Sequence, residues 1–113
     1  MKIRKKILLI DDDKDFGSLM KVFFAKREYD LFIAHTLTEG MTLLEKENPD
    51  YIFLDNSLPD GSGWGQTEYI LHHYPQTHLN LLSGFDVPKT SASSFRILEK
   101  PISLDEILSC VSN

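Results

Sequence analysis

The sequence is poor in cysteine, in positive charge and in long apolar runs, and each shortage removes a class of function. Its single cysteine, Cys110, cannot form an internal disulfide or supply a zinc cluster, which fits a reducing, cytoplasmic setting. Lys and Arg number 12 against 17 Asp and Glu, a formal charge of −5. Most of the surface therefore repels a polyanion, and direct nucleic-acid binding is not expected. No unbroken apolar run is longer than that of Ile7 to Ile10, which is strand-sized and far below the ~20 residues that cross a bilayer, so no membrane partner is expected. Lys2, Arg4, Lys5 and Lys6 have the basic character of a signal peptide's start. The apolar stretch behind them nevertheless ends at Asp11 with no small-residue cleavage site, and no export signal is read. With 113 residues, 42% hydrophobic and 26% charged, the chain has the size and composition of one globular domain over residues 1–113.

What the sequence does contain is alternation. Short apolar runs recur at 7–10, 31–34, 51–54, 79–82 and, in broken form, 95–98, with stretches of helical periodicity between them. Runs that are apolar at every position imply strands covered on both faces, as in parallel sheets built from βαβ units. Helices are expected at 14–27, 37–47, 64–74 and 103–112. Phe16, Leu19, Met20, Phe23 and Phe24 make one apolar stripe. Thr36 with Glu39, and Ser103 with Glu106, read as capping boxes. The connection from Ser83 to Ser94 carries Gly, Pro and several serines without an apolar stripe, so a full helix is not expected there.

The chemistry-bearing residues follow the strands. Asp11, Asp12 and Asp13 come after Ile10, Asp55 after Leu54, Ser83 after Leu82, and Lys100-Pro101 just past the last strand. In an open doubly wound sheet the C-terminal strand ends share one crevice, so these residues are expected to converge. Carboxylates held together repel one another unless a proton or a cation intervenes. An all-oxygen site with no thiol suits a hard ion such as Mg²⁺. Such a site supports phosphoryl transfer: Asp55 supplies an oxygen nucleophile, Lys100 a positive partner for it and for its phosphate, and Ser83 a hydroxyl donor.

The run from Ile7 to Asp13, the run from Leu54 to Gly63, Leu81 to Gly84, and Lys100-Pro101 resemble the signature segments of bacterial two-component response-regulator receiver domains, in the same order and over essentially the whole chain. The resemblance implies an α/β, three-layer α/β/α sandwich with a five-stranded parallel sheet of flavodoxin-like order 2-1-3-4-5. It implies that Asp55 accepts the phosphoryl group, that Asp11 and Asp12, with Asp55 and Ser57, hold Mg²⁺, and that Ser83 and Lys100 are the switch hydroxyl and the phosphate-pairing lysine. A sensor histidine kinase or phosphotransfer protein would be the donor. A downstream protein target or an output domain outside this chain would receive the signal, and a dimer stays open. The Lys100-Pro101 bond is expected to be cis. The only chemistry implied is the domain's own phosphorylation and dephosphorylation, so the chain is not read as an enzyme.

Two features depart from the family pattern. Ile97 stands where most members carry a Tyr or Phe three residues before the lysine, with Phe95 two residues earlier on the same strand face. The segment between Ser83 and Lys100 is shorter by about a turn and a half of helix, which predicts a short or missing fourth helix. Ser57 and Phe85 are the positions expected to set the phosphate's lifetime, Phe85 by screening it from water. Two other readings stand beside the leading one: a pseudo-receiver that docks partners without phosphorylation, and a haloacid-dehalogenase-like phosphatase suggested by the Asp-x-Asp spacing of Asp11 and Asp13. His35, His72 and His73 are read as surface or half-buried side chains, Trp64 and Tyr69 as packing residues and Cys110 as a small buried or terminal one.

Overall fold

The computed structural model describes residues 4–84 and 95–111. Five parallel strands form a sheet: β1 (Lys5–Ile10), β2 (Tyr29–Ala34), β3 (Tyr51–Asp55), β4 (His78–Ser83) and β5 (Phe95–Glu99). They lie in the order β2-β1-β3-β4-β5, the expected doubly wound arrangement. The helices are α1 (Lys14–Phe24), α2 (Leu37–Glu47), α3 (Thr67–His73) and α4 (Leu104–Val111). The helix expected to be short or missing between Ser83 and Ser94, and Phe85 with it, fall on residues 85–94, outside the described residues.

The central strands are apolar at successive positions because each face of the sheet is covered. Side chains alternate along a strand, so β1 divides its residues between two cores. Ile7 and Leu9 pack with Met20, Phe24, Ile107 and Val111 on the face of α1 and α4. Leu8 and Ile10 pack with Leu44, Ile52 and Ile70 on the face of α2 and α3. All four are fully buried. Cys110 lies in the first core, as a small buried residue. The buried Asn80 of β4 donates its side-chain amide to the Ile52 carbonyl at 3.1 Å, so this polar intrusion is satisfied.

Local signals set the helix ends. Asp13 caps α1, its carboxylate accepting from the amides of Asp15 and Phe16 at 3.0 and 3.2 Å. The helix stops at Phe24, three residues before the expected 27. The chain turns there, and the Arg27 guanidinium folds back over the Phe23 ring at 3.9 Å while donating to the Phe23 carbonyl at 2.6 Å. Thr36 caps α2 through the Glu39 amide at 3.1 Å, and Asn48 ends that helix in the left-handed conformation (φ 46°) just before Pro49. Ser103 and Glu106 form the expected capping box of α4, with the Glu106 amide donating to Ser103 Oγ at 3.1 Å and the Ser103 amide to Glu106 Oε1 at 3.2 Å. The α3 region differs from expectation: a 3₁₀ turn, Gly63–Gln66, precedes an α-helix that begins only at Thr67. Two glycines, Gly63 and Gly65, lower the α-propensity of that stretch. No helix among the described residues is long and apolar enough to cross a membrane.

Candidate functional site

The parallel register delivers the predicted residues to one edge of the sheet. Ile10 pairs with Leu54 across β1 and β3, so Asp11 and Asp55 each stand one step beyond that pair. Asp55 pairs with Leu82, which puts Ser83 one residue further along β4. Ser83 pairs with Glu99, and the Lys100 amide donates to the Ser83 carbonyl at 2.7 Å, closing the row at β5. The Lys100-Pro101 bond is cis.

Lys100 Nζ lies 2.9 Å from Asp11 Oδ2 and 3.4 Å from Asp55 Oδ1. Oxygens of Asp11, Asp12 and Asp55 approach one another within 4.8 Å. Asp11 is fully buried and Asp55 6% exposed, whereas Asp12 opens to solvent. Three carboxylates facing one ammonium leave an excess of negative charge, and every candidate ligand is a hard oxygen. Charge and donor type together fit a divalent cation such as Mg²⁺. Burial first, then the charge of Asp11, pushes the Asp55 pKa above its ordinary value of 3.8, and Lys100 only partly opposes this. Burial also works against the charge on Lys100, but the bonds and charges of Asp11 and Asp55 outweigh it and hold that pKa above 10.5.

The segment after Asp55 is a tightly tied loop. Ser57 and Leu58 pair antiparallel with Ser62 and Gly61. Gly61 sits at φ 155°, a conformation that favours glycine. The Gly63 amide donates to the Asn56 carbonyl at 2.9 Å, and Ser62 Oγ donates to Asn56 Oδ1 at 2.7 Å. Ser57 is exposed at the rim of this loop, beside the acidic cluster in sequence.

Three residues near the site make structural contacts of their own. Asp13 is spent on capping α1, so the pair that an Asp-x-Asp phosphatase would bring together is split: Asp11 faces Lys100 and Asp13 faces a helix. Asp60 spans the start of α2 and accepts from the Leu37 amide, the Thr38 amide and the Thr38 hydroxyl at 2.7, 2.9 and 2.7 Å. Those bonds, the Thr38 hydroxyl foremost, lower the Asp60 pKa to about 2. His35 Nδ1 lies 3.1 Å from the Asp11 carbonyl. His73 stacks on Tyr69 with ring centroids 4.1 Å apart, and no histidine joins the acidic cluster among the described residues. Ile97 and Phe95 both pack on the core shared by α2 and α3, beside Trp64, so the strand face that would carry the family's aromatic residue is occupied by an isoleucine.

Comparison with known proteins agrees with this geometry. The family model for the response regulator receiver domain matches residues 7–112. The response regulator protein PilR of Pseudomonas aeruginosa is 30% identical over 114 residues, an alignment that takes in 96% of this chain and 26% of that protein. The chain thus spans about a quarter of that relative's length. Among solved structures, the signal receiver domain of an HD domain-containing protein from Pseudomonas fluorescens superposes with a TM-score of 0.84 at 25% identity, covering 96% of this chain and 91% of that one. A Burkholderia pseudomallei response regulator, solved with a phosphorylated aspartic acid, calcium ion and citrate, shares the fold with a TM-score of 0.81 at 23% identity, covering 96% and 67%.

Proposed function

The chain belongs to the response regulator receiver domains of two-component systems, and on that premise we propose that it is a phosphorylation switch whose acceptor is Asp55. The observation that carries this reading is the position of Lys100 Nζ between Asp11 and Asp55 inside a three-carboxylate cluster. Asp55 presents an oxygen at the open edge of the sheet. That oxygen attacks the phosphorus of a phosphohistidine or a small acyl phosphate, a new oxygen–phosphorus bond forms, and the bond to the donor's leaving group breaks. Asp11, Asp12 and Asp55, with Ser57 at the loop rim, are the residues that would hold Mg²⁺. When bound, the ion offsets charge on the transferring phosphoryl group. Lys100 then pairs with the new phosphate, and Ser83 donates its hydroxyl to it.

Phosphorylation replaces a buried carboxylate by a bulkier group of higher charge, and the strand ends carrying Ser83 and Lys100 adjust around it. The donor is a sensor histidine kinase or a phosphotransfer protein in the cytoplasm, and the reader is a downstream protein or an output domain. A groove between the start of α1 and the Lys100-Pro101 segment, lined by Asp13, Asp15, Phe16, Leu19, Lys100 and Ile102, lies on the Lys100 side of the site. A docking module without phosphorylation is the second reading, favoured by Ile97 and by the short segment between Ser83 and Lys100. One experiment separates the two. Incubated with acetyl phosphate and Mg²⁺, the protein should gain a single phosphoryl group that hydroxylamine removes and EDTA prevents, as read by intact-mass spectrometry. A protein that stays unmodified under those conditions is a docking module.

A further inference from the structure

The acceptor loop is held at two places, and only one of them is local. At its base, Asn56 receives the Gly63 amide and the Ser62 hydroxyl. At its tip, the Asp60 carboxylate reaches a different element and takes three hydrogen bonds from Leu37 and Thr38. The first turn of a helix has amides with no partner inside the helix. In α2 these are shared out: Thr36 Oγ1 takes the Glu39 amide and Asp60 takes those of Leu37 and Thr38. Removing Asp60 would therefore strip two amides and a hydroxyl at once.

The same stretch of chain touches the other side of the crevice. His35, immediately before the cap residue Thr36, lies with Nδ1 3.1 Å from the carbonyl of Asp11, while the Asp11 amide donates to the Ala34 carbonyl at 3.0 Å. Residues 34–38 thus run from the end of β1, where Asp11 sits, to the tip of the loop that follows Asp55. Leu37 also contacts this tip by its side chain, 3.2 Å from where a Cβ on Gly61 would stand.

We propose that Asp60 is a positioning residue: by clamping the tip of the 56–63 loop to the start of α2 it fixes that loop, and through it the acceptor Asp55, relative to Asp11 and Asp12. The inference rests on the phosphorylation reading above for its chemical consequence, but the clamp itself can be tested without any phosphodonor. Outer partners that orient metal-binding residues commonly contribute about 10–100-fold to affinity or activity.

In Asp60→Ala, amide hydrogen exchange of residues 56–63 and of Leu37 and Thr38 should accelerate, and both the Mg²⁺ dissociation constant and the rate of labelling by acetyl phosphate should worsen by about tenfold. Asp60→Asn keeps one acceptor oxygen but turns an N–H donor toward the group that the other oxygen accepts from, and should recover only part of the loss. Should the alanine variant not fold, Asp60→Asn combined with Thr38→Val removes the charge and the hydroxyl bond while leaving a cap, and should show the same changes in smaller measure. Faster exchange of the loop with weaker Mg²⁺ binding supports the clamp. Wild-type exchange and wild-type Mg²⁺ affinity in a folded Asp60→Ala protein, with only a lower Tm, would overturn it. Failure of the parent protein to accept a phosphoryl group overturns the functional reading instead, and leaves the exchange result to decide the clamp.

Discussion

Asp55→Asn will reduce acetyl phosphate labelling to background while raising the metal-free Tm at pH 7. The first half follows from chemistry: an amide offers no anionic oxygen to attack phosphorus, and Asp11, the other buried carboxylate, is engaged by Lys100 at 2.9 Å. The second half follows from the site's electrostatics. The folded Asp55 carboxyl has a pKa above 3.8 because burial, and then Asp11, disfavour its charge by more than Lys100 favours it. A group whose folded pKa is raised stabilises the fold below its unfolded pKa and loses that contribution as pH rises through the folded value. At neutral pH the charged carboxylate is therefore a cost, and an uncharged isostere removes it. The Tm difference between variant and parent should be positive at pH 7 and shrink toward zero as pH falls below 3.8. Scanning calorimetry from pH 3 to pH 8 reads this directly. Mg²⁺ acts in the opposite sense: at a hundred times its dissociation constant it adds about 2.7 kcal/mol to the parent, and less to a variant with one carboxylate fewer. Labelling of Asp55→Asn at the parent's rate would place the acceptor elsewhere.

A single methyl group at residue 63 should be as damaging to the fold as the loss of Asp55 is to the chemistry. Gly63 is buried, and a Cβ on it would overlap the carbonyl oxygen of Asp55 and come within 2.8 Å of Leu54 Cδ1. Flexible side chains yield to such intrusions, but this carbonyl belongs to β3, whose residues are paired with β1 on one side and β4 on the other. The loop cannot retreat either, because the Gly63 amide is bonded to Asn56 and the tip is tied to α2. Gly63→Ala should therefore cost about 3 kcal/mol, at the upper end of the range for overpacked cores. It should also depress acetyl phosphate labelling, since relief requires the backbone of Asp55 to move. Urea denaturation measures the first effect and intact-mass kinetics the second. Gly65→Ala supplies the control: the nearest atom to its added Cβ is Ser62 Cβ at 4.0 Å, so its stability should stay within ~0.5 kcal/mol of the parent. Equal stability of the two variants would show that the close approach at residue 63 is relieved at no cost.

Much of this arrangement is legible in the sequence. Asp11, Asp55, Ser83 and Lys100 could be picked out because each follows an apolar run, and parallel strands must bring their C-terminal ends to one edge. Ser103 and Glu106 announced α4 because both halves of a capping box lie within one turn of sequence. Thr36 announced the start of α2 for a similar reason, but the remaining amides of that helix are met by Asp60, twenty-two residues beyond Thr38. A local reading of Leu58-Pro59-Asp60-Gly61 yields a turn and nothing more, because an aspartate is common in turns whether or not a helix arrives beside it. Asp13 is the opposite case: it stood among the acidic candidates by proximity, yet its carboxylate turns to the helix it precedes.

The strands, their two-sided burial and the identity of the acidic and basic residues at their ends are properties of pattern, since hydrophobic period and strand-end placement are written residue by residue. Which carboxylate faces Lys100, how closely Asp12 approaches Asp55, and why residue 63 must lack a side chain depend on distances between segments far apart in the chain. Such distances are set by the packing of two cores against one sheet, where every contact is constrained by all the others, and no local stretch of sequence carries that information.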